Sequence, residues 1–129
     1  MKENKIVITI NKPISEVFEF TINPKNTPLW ISDIKEELSD NYPPKINTIY
    51  KNRRISGQWN YYKVIELENN KIFTLKSLDG DYFVKYIYKK ISETKTELEY
   101  IEYVERGEIE KPFTLGVLKK LKDVIENSI

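Results

Sequence analysis

The sequence predicts an α+β fold: an antiparallel sheet of about seven strands, two short helices after the first strand, and one long helix at the C-terminal end. Three observations carry this reading. Alanine is absent from the 129 residues, while isoleucine, tyrosine, lysine and asparagine abound. That bias disfavours helix and suits strands. From residue 48 onward, apolar residues alternate between turn signals at 56–57, 69–70, 79–80 and 93–95, which is the pattern of a meander. Only the last stretch changes to helical spacing.

Each element has its own warrant. Residues 5–10 form a first strand with Ile6, Ile8 and Ile10 on one face, ended by Asn11-Lys12-Pro13. Residues 15–21 form a short helix burying Val17, Phe18 and Thr21. Asn23-Pro24 stops it, because the residue before a proline avoids the α region. Residues 24–30 make a second short helical turn ending at Pro28-Leu29-Trp30, residues 34–38 a short strand, and Tyr42-Pro43-Pro44 a loop. Asp79-Gly80 reads as a two-residue hairpin turn with positive φ, and Asn69-Asn70 as a weaker one. Pro112 suits the first turn of a helix. Phe113, Val117, Leu121, Val124 and Ile125 then recur at helical spacing opposite Lys119, Lys120, Lys122 and Asp123, giving about four amphipathic turns that need an apolar partner surface.

Composition narrows the chemistry. The chain is expected to be one domain over 1–129. Lys+Arg is 21 and Asp+Glu is 20, a net charge of +1, which argues against a nucleic-acid partner. With no histidine and no cysteine, triads, thiolate nucleophiles, disulfides and the usual metal ligands are excluded, so neither metal nor cofactor is expected. No apolar run is long enough to span a membrane. The first ten residues lack a signal-peptide layout, so the expected location is the cytoplasm.

Register arithmetic identifies an inner face. Turns at 69–70 and 79–80 pair Val64 with Leu75, Glu66 with Phe73, Leu75 with Val84 and Phe73 with Tyr86. A three-residue loop at 93–95 pairs Tyr86 with Glu102 and Tyr88 with Tyr100. One face then carries Tyr62, Val64, Glu66, Phe73, Leu75 and Ser77. It continues with Tyr82, Val84, Tyr86, Tyr88, Leu98, Tyr100, Glu102 and Val104. Lys63, Lys76, Lys85 and Lys89 mark the other face as the solvent side. Alternation places one of Arg53 and Arg54 inside without deciding which. An inner wall so rich in tyrosine suits an amphipathic cavity, because a buried hydroxyl needs a partner.

The order of elements resembles the START/Bet v1-like (SRPBCC) superfamily, with its helix-grip fold. The opening segment carries most of the likeness: Ile10-Asn11-Lys12-Pro13-Ile14-Ser15-Glu16-Val17-Phe18, then Asn23-Pro24 and Pro28-Leu29-Trp30. Tyr62-Lys63-Val64-Ile65-Glu66 is similar to the family's fourth strand, and Thr96-Glu97-Leu98-Glu99-Tyr100 to its last. The polyketide cyclase/dehydrase-like branch is nearest in feel. The resemblance implies a curved sheet wrapped around the C-terminal helix, with a cavity between them for a hydrophobic or amphipathic small molecule. Fold alone does not choose among a ligand binder, a cyclase or dehydratase, and a chaperone-binding-like interaction module.

The candidate ligand-binding residues are Trp30, Arg54, Tyr62, Phe73, Leu75, Tyr82 and Tyr86, with Tyr88, Tyr100, Glu102, Phe113, Val117 and Leu121. Glu102 and Tyr86 are the candidate catalytic pair, since a desolvated carboxyl can act as acid or base. Arg54 or Arg53 could fork a ligand anion, and Trp30 could wall one end of the cavity.

Overall fold

Seven strands build one antiparallel sheet in the computed structural model, which describes residues 2–128; Met1 and Ile129 of the expected 1–129 domain lie outside the described residues. The strands are β1 (Glu3–Ile10), β2 (Ile34–Ser39), β3 (Ile49–Arg54), β4 (Trp59–Glu68), β5 (Ile72–Ser77), β6 (Tyr82–Ser92) and β7 (Lys95–Val104). Between β1 and β2 lie helix α1 (Ile14–Ile22), a 3-10 turn (Pro24–Asn26) and helix α2 (Thr27–Trp30). Helix α3 (Leu115–Glu126) closes the order. The spatial order is β1-β7-β6-β5-β4-β3-β2, so β1 and β2 stand on opposite edges. The α1–α2 segment must cross the sheet between them. Six strand spacings would separate those edges by about 29 Å if the sheet were flat. Curvature brings them within reach of so short a crossing.

The core sits on the concave side. Ile8 and Ile10 of β1, Val17, Phe18 and Ile22 of α1, Leu98 of β7, and Leu118, Leu121 and Ile125 of α3 are all buried there. Helix α3 packs against β1 and α2. Lys122 Nζ donates to the Thr9 carbonyl at 2.7 Å, and the Asn11 N–H donates to Glu126 at 2.7 Å. These contacts bind the helix to the β1 edge.

The structure adjusts several sequence expectations. Helix α3 begins after Thr114, whose Oγ1 caps the Val117 N–H. Pro112 and Phe113 therefore belong to the preceding loop, and the buried stripe includes Leu118, which the sequence reading omitted. Neither Asp79 nor Gly80 has positive φ; the link spans residues 78–81 but keeps the expected register, with Leu75 opposite Val84 and Phe73 opposite Tyr86. The 69–70 turn is one residue wider than expected, with Asn70 at φ 59 and Glu68 opposite Ile72. A bulge at Ile65 absorbs the extra residue, so Glu66 faces outward opposite Thr74, next to Lys85. At the last hairpin the turn is one residue tighter than expected, with Ser92 opposite Lys95, and a bulge at Ile91 adds another, so β7 slides by two residues in all. Tyr86 pairs with Tyr100, and Glu102 with Val84 rather than Tyr86. A slip of two preserves every side-chain direction, since strands repeat every second residue. Along β4 to β7 the inner face matches the reading except beyond the bulge at Ile65, where Leu67 takes the inward place expected of Glu66.

Candidate functional site: a tyrosine-walled cavity

Strand β3 decides the character of the inner surface. Its pairing with β4 sets Tyr50 opposite Tyr62 and Asn52 opposite Asn60. Tyr50 and Asn52 are buried, and Arg54 follows on the same face. Under this face lies a cavity of about 770 Å³. Its far wall is not chiefly the long helix. Only Val117 and the capping Thr114 reach it from α3; the rest comes from Thr21 of α1, from α2 and the residues that follow it, and from the loop before α3.

Nine predicted residues line this cavity: Arg54, Tyr62, Phe73, Leu75, Tyr82, Tyr86, Tyr100, Phe113 and Val117. Their rings interlock. Tyr86 packs tilted on Phe73 at 5.6 Å and edge-on to Tyr100 at 5.2 Å, and Tyr100 stacks on Phe113 at 4.9 Å. Such contacts hold the wall rigid. Burial pushes the Tyr86 and Tyr100 hydroxyls well above the usual phenol range.

Four predicted residues stand behind the wall. Trp30 is buried edge-on to Tyr100 and Phe113, at 6.2 and 6.1 Å; it supports those rings and does not face the space. Tyr88 shares a 2.6 Å hydrogen bond with Thr21. Leu121 is fully buried in the α3 core. Glu102 is fully buried too, and its carboxyl accepts three hydrogen bonds: from the Tyr82 hydroxyl at 2.6 Å, Asn4 Nδ2 at 2.7 Å and the Phe113 N–H at 2.6 Å. Asn4 Nδ2 also donates to the Phe113 carbonyl at 2.8 Å. This carboxyl ties β1, β6 and the loop before α3 to one point, with no oxygen turned to the cavity.

Among the described residues, five carboxyls line the cavity: Asp33, Asp81, Glu108, Glu110 and Glu37. Glu37, set between α2 and β3, is the one that sequence reasoning missed on the inner face. It pairs with Asn52 across β2 and β3 because a bulge at Lys35 shifts the strand's phase. Thr27 Oγ1 donates to Glu37 at 2.6 Å and Asn52 Nδ2 donates at 3.1 Å. Desolvation by the surrounding protein raises its pKa, against the lowering effect of those two hydrogen bonds. Nearby, the Tyr50 hydroxyl donates to the Ile22 carbonyl at 2.7 Å. Burial raises its pKa most, and Glu37 adds to the rise. At the rim, Arg54 pairs with Asp33 and Arg106 with Asp81, each at 3.1 Å. Asn52 Oδ1 and Arg54 Nε are buried without a hydrogen-bond partner. Among the described residues, no His, Cys, Asp or Glu cluster could hold a metal ion, and no helix is long and apolar enough to cross a membrane.

Neither a protein-family model nor a curated protein sequence matches the chain. Solved structures do. A START superfamily protein from Mycobacterium smegmatis superposes with a TM-score of 0.71 at 13% identity, over 98% of this chain and 95% of that one. The Aha1 dimer from Colwellia psychrerythraea gives 0.70 at 15% identity, over 98% of each chain. A Polyketide_cyc-like protein from Corynebacterium glutamicum gives 0.60 at 20% identity, over 79% of this chain and 64% of that one. At such identities the likeness is one of architecture. With its curved seven-stranded sheet, its two short helices after β1 and its C-terminal helix, the chain has the helix-grip fold of the START/Bet v1-like (SRPBCC) proteins.

Proposed function

We propose that this chain, acting as one domain, binds an amphipathic small molecule in the cavity beneath β3–β6. The observation that carries the reading is the cavity of about 770 Å³, walled by tyrosine and phenylalanine and provided with a few polar atoms. Small-molecule sites commonly measure roughly 300–1,000 Å³ and combine apolar bulk with a few polar groups. Asn52 Oδ1 and Arg54 Nε are buried and unpaired, and a buried polar atom left unpaired is costly, so a ligand that meets them gains affinity. The START and polyketide-cyclase-like neighbours support the reading by their shared architecture. A chain without cysteine needs no oxidising compartment, which suits a cytoplasmic role.

Native mass spectrometry of protein from its own host, followed by lipid extraction, tests this. A bound mass released on denaturation is expected. Val84→Trp, which fills the cavity, should abolish it without unfolding the chain. A ligand-free wild type that also fails to take up Nile red would overturn the reading.

A second reading, a cyclase or dehydratase, is favoured by Glu37. A desolvated carboxyl with a raised pKa is suited to general acid or base work. The assignment moves from Glu102, whose oxygens are occupied, to Glu37. Glu37→Gln is expected to end dehydration or cyclisation even at saturating substrate, followed by mass spectrometry. Undiminished turnover in that variant would remove Glu37 from the chemistry.

A further inference from the structure

The end of the cavity formed by α2, β2 and β3 holds a carboxyl without a cation. Glu37 receives hydrogen bonds only from the neutral Thr27 hydroxyl and Asn52 amide. Among the described residues, no basic side chain pairs with it. Asn52 is 7% exposed. With its Nδ2 committed to Glu37, its Oδ1 is left buried without a partner. Two acceptors therefore stand beside one another on neighbouring strands. The rings of Tyr50, Tyr62 and Tyr86 line the same space, and aromatic faces attract cations.

The cavity's two arginines are already engaged. Asp33 takes the Arg54 guanidinium and Asp81 takes that of Arg106. Arg54 Nε remains an unpaired donor, and an acidic head group would compete for it. Such a head would stand in the fields of both Asp33 and Glu37, which repel it. A cationic head meets the opposite balance. It supplies the counter-charge that Glu37 lacks, and an ammonium carries three donors and no acceptor, matching Glu37, Asn52 Oδ1 and one tyrosine hydroxyl.

We propose that this end of the cavity recognises an ammonium head group, held by the Glu37 carboxyl and Asn52 Oδ1, with the ligand's apolar tail along Phe73, Leu75, Val84 and Val117. The inference rests on the small-molecule reading above and narrows it to amphipathic amines.

The test displaces Nile red with three probes of equal tail length below their micelle concentrations: decylammonium, decanol and decanoate. Decylammonium should displace the dye at the lowest concentration. Glu37→Gln should weaken decylammonium about tenfold or more, as loss of a desolvated charge partner does, and leave decanol unchanged. Asn52→Leu should weaken decylammonium as well. Should either variant fail to fold by circular dichroism, the wild-type ranking alone decides. Equal displacement by all three probes, or a preference for decanoate, overturns the ammonium site and leaves the cavity reading standing. Nile red uptake that none of the three probes reverses, or no uptake at all, overturns both.

Discussion

Two glutamates show how much a single position depends on its neighbours in space. Glu102 was singled out in sequence for its inward direction, and it does point inward. Its role is set by Asn4 and Phe113, which no local pattern connects to it, and their donors turn it from a candidate acid into a tie between segments. Glu102→Ala leaves three donors unpaired in a buried place, at about 1–3 kcal/mol for each. We therefore expect a loss of about 3 kcal/mol or more in urea unfolding, with a Glu102→Gln variant also destabilised because its amide N–H₂ confronts a donor. Unchanged stability in both would mean that the tie does not form. Glu37 was invisible because strict alternation from Ile34 places Glu36 and Leu38 on its face, and only the bulge at Lys35 moves Glu37 inward. Its raised pKa gives a signed expectation. Folded Glu37 holds its proton more tightly than unfolded Glu37, so its contribution to stability is complete below the usual carboxylate range and is lost as pH rises through the raised value. Glu37→Gln mimics the protonated form. Its stability relative to wild type should improve from mildly acidic to alkaline pH; a difference independent of pH would contradict the shift.

Elements were legible wherever one residue's chemistry is decisive. Asn23-Pro24 ended α1 as expected, and the alternation of β4 to β7 named the inner face because an even slip leaves a period of two intact. The start of α3 was misplaced. Pro112 can begin a helix, but Thr114 supplies the hydroxyl that caps the free N–H of Val117, and the helix starts there. Thr114→Ala should cost about 1 kcal/mol in thermal or urea unfolding. Along α3, burial rather than hydrophobicity sets the energetic weight. Leu118 is fully buried and Leu115 is 48% exposed. Leu118→Ala should cost about 2–5 kcal/mol and Leu115→Ala no more than about 0.5 kcal/mol. Equal costs would show that α3 is rotated from the packing described.

At the scale of the molecule, the sheet order joins the two ends of the chain. β1 pairs along its whole length with β7, so the sheet is complete only after most of the chain has been ordered. Proteins dominated by such distant pairings fold slowly, in milliseconds to seconds. Stopped-flow refolding should fall in that range; microsecond refolding would mean that local contacts dominate the barrier. The same order places β1 and β2 on opposite edges and makes α1–α2 span the concave face. That span, with the loop before α3, walls the cavity where the sequence reading expected the long helix to cover it.

The sequence by itself determined the strand and helix order, the inward face of β1 and of most of β4 to β7, and the aromatic character of that face. These follow from periodicity and turn chemistry, which act over a few residues and survive small errors of register. Tertiary structure alone decided which inward residues meet open space and which meet protein, that Arg54 rather than Arg53 faces the cavity, and that Glu37 lines it while Glu102 does not. Those outcomes turn on bulges that shift a strand by one residue and on hydrogen bonds between segments far apart in the chain. Both are settled only when the whole sheet closes around its core.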